Sequence, residues 1–110
     1  MKLDTAKKLK EVCDKHGVEM PESEDCVMDE YNNCYNKYDT DELLEWLPSP
    51  FYTRVCLEKY TDSKYYNKHY YVAVYQSKEY DLDLKADTPS EALALLAIEL
   101  VERGLLGNTK

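Results

Sequence analysis

The stretch from Thr88 to Gly104 constrains the fold more than any other part of the chain. Thr88-Pro-Ser-Glu91 is a complete helix start. The Thr88 hydroxyl is placed to accept from the Glu91 N–H, Glu91 to reach back to the Thr88 N–H, and Pro89 fits the first helical position. Gly104 supplies a left-handed stop. Between these signals, Leu93, Leu96, Ala97, Leu100 and Val101 form one wide stripe, which we assign to a sheet. Leu95 and Ile98 fall roughly opposite, with Ala94 at the edge of the stripe. A helix that is apolar on two sides needs cover on both. The candidates are an N-terminal helix bearing Leu9, Val12 and Cys13, a helix around Trp46, or a second copy of the chain. Internal cover, and hence a monomer over a homodimer, is favoured because those helices need a partner for their own stripes.

A chain of 110 residues has room for one domain with one modest core. Asp4 is placed to cap a helix ending near His16, with Ala6, Leu9, Val12, Cys13 and His16 at helical spacing, and residues 1–17 form this first element. Residues 18–39 are an acidic segment. Within residues 22–38, Val27, Met28, Tyr31, Cys34, Tyr35 and Tyr38 recur every three or four positions and suggest a helix; Asn32, Asn33 and Asn36 argue against it and leave an ordered loop as the other reading. Residues 40–106 form a helix-strand-strand-strand-helix core. Asp39 with Glu42, or Thr40 with the acids after it, starts a short helix with Leu43, Leu44, Trp46 and Leu47, which Pro48 and Pro50 end.

The period then becomes alternating. Residues 51–59, about 69–76, and 80–86 read as three strands, the second apolar on both faces and therefore central. Tyr80, Leu82, Leu84 and Ala86 point inward, and Asp81, Asp83 and Lys85 outward. A turn or loop is expected at Thr61-Asp-Ser-Lys64, and a short hairpin connection at Ser77-Lys-Glu79. The expected fold class is α+β: a three-stranded antiparallel β-meander packed with a long C-terminal helix and N-terminal helices.

Ten acids and one base, Lys37, lie between Glu19 and Glu45, so this segment holds the negative charge of the whole chain. It reads first as a solvated face and second as a surface for a basic partner. Eleven tyrosines against one Phe and one Trp are the other unusual feature. Tyr65, Tyr66, Tyr70, Tyr71 and Tyr75 interleave with Lys64, Lys68 and His69, a pattern that can stack nucleic-acid bases or anchor a protein interface. The acidic balance repels phosphate, so nucleic acid is disfavoured against a protein partner. No apolar run approaches the roughly 20 residues that span a bilayer. The first residues also lack a signal-peptide core, so a cytoplasmic protein with free Cys13, Cys26, Cys34 and Cys56 is expected.

Cys13, His16, Cys26 and Cys34 are zinc-ligand residue types, but structural zinc sites bring ligands in close pairs on turns, which this spacing does not. A cysteine nucleophile would need His16 or His69 as its base, and each reads better as a packed or surface histidine. Three glycines leave no phosphate loop. No cofactor, metal or catalytic residue is expected, and the chain is not expected to be an enzyme.

Four segments between Thr40 and Leu106 carry a resemblance: Asp41-Glu-Leu-Leu-Glu-Trp-Leu-Pro48, Tyr71-Val-Ala-Val-Tyr75, Lys85-Ala-Asp-Thr-Pro-Ser-Glu-Ala92 and Glu102-Arg-Gly-Leu-Leu106. Together they resemble a recurring type of small phage and prophage protein. The last part is also similar to the strand-to-helix step of HicB-type antitoxins and phage sandwich-like small domains. The resemblance implies a mobile-element setting and no activity. A non-enzymatic protein-interaction module is the leading expectation, with a HicB-like regulator or nucleic-acid-associated module as the alternative. The candidate partner-binding residues are Tyr66, Tyr71 and Tyr75 near the strands, and Asp25, Asp29 and Glu30 in the acidic segment.

Overall fold

In the computed structural model, which describes residues 1–47, 54–61, 69–78 and 81–106, the chain runs α1 (Leu3–His16), β1 (Asp25–Met28), β2 (Cys34–Lys37), α2 (Thr40–Trp46), β3 (Arg54–Thr61), β4 (His69–Gln76), β5 (Asp81–Ala86) and α3 (Pro89–Glu102). Thr88 caps α3 as its sequence requires, its hydroxyl accepting from the Glu91 N–H at 3.2 Å. At the other end Gly104 takes φ 73°. The Leu105 N–H then donates back to the Leu100 carbonyl at 2.8 Å, and Leu106 turns into the core. Strands β3, β4 and β5 form an antiparallel meander with β4 in the centre. The fold is therefore α+β with a C-terminal helix, as the alternation and capping signals imply.

Helix α3 is the middle layer. It packs against β4 and β5 of the sheet and also against α1 and α2. Leu93, Leu96, Leu100 and Val101 are fully buried, Ile98 is nearly so, and Leu95 is half-buried against the same core. The second apolar face of α3 is thus covered within the chain, with Leu9, Val12 and Cys13 of α1 and Leu43 of α2 in the shared cluster. Burying each of these side chains contributes roughly 1.5–3 kcal/mol.

Two capping assignments differ from expectation. Asp4 sits inside the first turn of α1; the N-cap position is Lys2, which has no side-chain cap. The N–H of Lys2 itself finds its acceptor on α3. Glu91 does not close a capping box on Thr88. Its carboxylate is buried, takes the Lys2 N–H at 2.8 Å and accepts the Thr5 hydroxyl. One anion near two helix N-termini is favoured by both helix dipoles, and it fixes α1 across α3. Asp39 and Glu42 do form a reciprocal capping box on α2.

The helix expected over residues 22–38 is not present. Strands β1 and β2 pair there as an antiparallel hairpin, with Val27 opposite Tyr35 and Met28 opposite Cys34. Asn32, at φ 65°, occupies the left-handed region that asparagine tolerates and a helix excludes. Cys26 and Cys34 are not free thiols: they are joined as a disulfide with Cα atoms 5.8 Å apart. Among the described residues, no helix is long and apolar enough to cross a membrane.

Candidate protein-interaction surface

One carboxylate braces the loop of the hairpin in the acidic segment. Asp29 opens the five-residue loop between β1 and β2. Its Oδ1 accepts from the Tyr31 and Asn33 N–H groups, both at 2.9 Å, and its Oδ2 accepts from Asn33 Nδ2 at 3.2 Å. The Asp29 N–H donates to the Asn33 carbonyl at 3.0 Å, and the Asn32 N–H to the Asp29 carbonyl at 3.2 Å. Lys7 of α1 holds the hairpin from below, its Nζ 3.8 Å from Asp29 Oδ2 and 5.8 Å from the centre of the Tyr35 ring. Burial of the Asp29 carboxyl raises its pKa, but the Asn33 and Tyr31 donors and Lys7 outweigh that effect and hold it below the ordinary carboxylate range.

The base of the hairpin is anchored by Tyr38. This side chain is buried, its hydroxyl donates to the Pro21 carbonyl at 2.5 Å and accepts from Asn36 Nδ2 at 3.1 Å, and its ring lies 6.2 Å from that of Trp46. Burial pushes the Tyr38 phenol up, with Asn36 opposing and Cys13 and Glu42 adding to the rise. Covalently, the Cys26–Cys34 bridge crosses diagonally between the strands on the face shared with Met28 and Asn36.

What this brace presents is apolar. Tyr31, at the loop tip, is 76% exposed, and Met28, opposite Cys34, is 55% exposed. Glu30 beside Tyr31 is exposed, as are Glu24 and Asp25 toward the base. Between Cys34, Asn36 and the end of α1 lies a groove of about 270 Å³, lined also by Lys10, Asp14, Val18, Glu19 and Met20. Lys10 Nζ pairs with Asp14 Oδ2 at 2.8 Å, and Asp14 raises the Lys10 pKa.

The candidate residues separate into three groups. Asp25 and Glu30 are exposed on the hairpin. Asp29 is internal to it, and its oxygens are occupied by its own loop. Tyr71 and Tyr75 lie on the face of β4 that carries Ala73, paired with Lys59 and Val55 of β3 and with Ala86 and Leu82 of β5. Tyr75 is buried and Tyr71 half-buried against the core, so both rings serve packing onto α3. Tyr66 lies outside the described residues.

Sequence reasoning missed Tyr60, which lies with Tyr70 on the opposite sheet face. Tyr60 and Tyr70 are cross-strand partners whose rings stack at 5.2 Å and 11°, and Lys85 Nζ sits 4.1 Å from the Tyr70 ring centre. Glu58 accepts the Tyr60 hydroxyl and raises its pKa, and Asp83 and Asp81 share this face. Period-two alternation on β3 and β4 contains this pair once their register is known.

Cys13 is buried on α1 and its thiol is pushed up to about 11, chiefly by burial and then by Asp14. With Cys26 and Cys34 bonded to each other, the four zinc-ligand residue types do not act as a set. Among the described residues no group of three or more His, Cys, Asp or Glu is placed to hold a metal ion. No protein-family model, curated protein or solved structure matches the chain.

Proposed function

We propose that this chain is a non-enzymatic protein-interaction module that binds its partner through the β1–β2 hairpin. The observation that carries the reading is Tyr31: a tyrosine 76% exposed at the tip of a loop that is hydrogen-bonded, cross-linked and anchored at its base. Holding an exposed aromatic in one place lowers the ordering cost of binding, and tyrosine is among the commonest energetic anchors of interfaces. Met28 adds an adaptable apolar contact on the same projection. The acids around them, Glu24, Asp25 and Glu30, specify a partner with an apolar pocket rimmed by Lys or Arg, since charge complementarity sets orientation and on-rate.

The resemblance to phage and prophage proteins makes a bacterial host lysate the place to seek that partner. The immobilised chain is expected to retain a host protein whose affinity falls by on the order of tenfold with Tyr31→Ser plus Met28→Ser and weakens with salt. Tyr60→Ser, on the outer sheet face, is expected to leave it unchanged. Equal retention by the hairpin variant would refute the reading.

The alternative, a HicB-like or nucleic-acid-associated module, has one supporting observation, the Tyr60–Tyr70 stack with Lys85 against it. Glu58, Asp81 and Asp83 on the same face oppose a phosphate backbone. Titration with single-stranded and duplex nucleic acid at low salt separates the two readings.

A further inference from the structure

We propose that the Cys26–Cys34 disulfide is a reversible thiol–disulfide exchange site, opened by a dithiol reductant, that sets the order of the binding hairpin. The inference rests on the reading of that hairpin as the binding element. Both cysteines are exposed, whereas Cys13 is buried and Cys56 is half-buried on the sheet. Exposed bridges are the ones that exchange, while buried structural ones resist. Cys34 also lines the groove of about 270 Å³ beside the end of α1, which offers a reductant a place to dock.

A thiolate of the reductant entering that groove attacks Cys34 Sγ. The Cys26–Cys34 bond breaks, a mixed disulfide forms on Cys34, and Cys26 leaves as a thiolate that takes up a proton. The second thiol of the reductant then attacks the mixed disulfide and releases Cys34. The protein gains two electrons and two protons, and the reductant becomes a disulfide.

The consequence is local. The bridge closes a short loop across two strands of only four residues each. Its base is held independently by Tyr38, and α3 and the sheet lie outside it. Reduction therefore loosens residues 25–37, including Tyr31 and Met28, and leaves the core folded. Opening and closing would tune how well the partner is bound, because a loosened hairpin must be re-ordered on binding.

The test uses the whole chain, oxidised and then treated with dithiothreitol without denaturant, and reads alkylation and amide hydrogen exchange by mass spectrometry. Cys26 and Cys34 are expected to become alkylated while Cys13 stays protected. Exchange over 25–37 is expected to accelerate by on the order of tenfold to a hundredfold, with Pro89–Glu102 unchanged. Cys26→Ser with Cys34→Ser should reproduce the reduced pattern. A bridge that yields only once denaturant unfolds the core would overturn the proposal, as would reduction that leaves exchange over 25–37 unchanged. Neither outcome touches the Tyr31 and Met28 binding test, so the two readings fail separately.

Discussion

Replacing Glu91 removes a contact that two helices share. Its carboxylate is 5% exposed, takes the Lys2 N–H at 2.8 Å and accepts the Thr5 hydroxyl. Glu91→Ala leaves both donors without that acceptor. Each lost hydrogen bond to a charged group costs about 1.5 kcal/mol at the lower end of its range, so the pair costs about 3 kcal/mol. For a domain of this size that is on the order of 10 °C in the melting temperature. Glu91→Gln keeps one acceptor oxygen and loses the charge, so about half of that loss is expected. Urea unfolding followed by circular dichroism measures all three proteins. The order wild type, Gln, Ala is expected, with a similar slope against urea and a falling midpoint. An Ala variant within about 0.5 kcal/mol of wild type would refute the claim that Glu91 ties the start of α1 to α3, since ordinary surface substitutions lie within that range.

Three further outcomes follow from the same geometry. Thr88→Ala should cost about 1 kcal/mol, the usual loss for an N-cap, and an unchanged thermal midpoint would count against the assigned start of α3. Tyr38→Phe strips the donor to the Pro21 carbonyl and the acceptor for Asn36, and should cost about 1–2 kcal/mol with earlier proteolysis near residues 18–24. The Asp29 carboxyl has a folded pKa below its ordinary 3.8, so its contribution to hairpin stability is complete above that value and disappears as pH falls through the lower folded value. Amide exchange at Tyr31 and Asn33 should therefore speed up in acid beyond the rest of the chain, and Asp29→Asn should abolish the extra sensitivity.

Much of the fold was legible because its signals were local and redundant. Thr88, Pro89 and Gly104 bound α3 from both ends, and the alternation of Leu82 and Leu84 with Asp81 and Asp83 identified β5 without knowledge of its partner. Strands β1 and β2 escaped because four residues each are too few to display a period of two, while their apolar residues happen to fall at helical spacing across the loop. The three asparagines were the discordant signal, and Asn32 shows why: the turn needs a residue that accepts a positive φ. For Glu91, the helix-start motif predicts a local N–H for the carboxylate, but a tertiary donor, the Lys2 N–H, takes its place. Alternation divided the tyrosines of β4 into two faces, yet only the register with Val55 and Leu57 on one side and Leu82 and Leu84 on the other identifies which face meets α3. Alternation alone therefore leaves Tyr71 and Tyr75 as surface candidates, and the register turns them toward α3 and Tyr60 away from it.

The central functional claim is that residues 25–37 form an ordered projection presenting Tyr31 and Met28. Backbone nitrogen relaxation of the oxidised protein tests it most directly. Order parameters of about 0.85 across the hairpin, matching those of Pro89–Glu102, are the predicted result, and values below about 0.6 from Asp29 to Asn33 would contradict it.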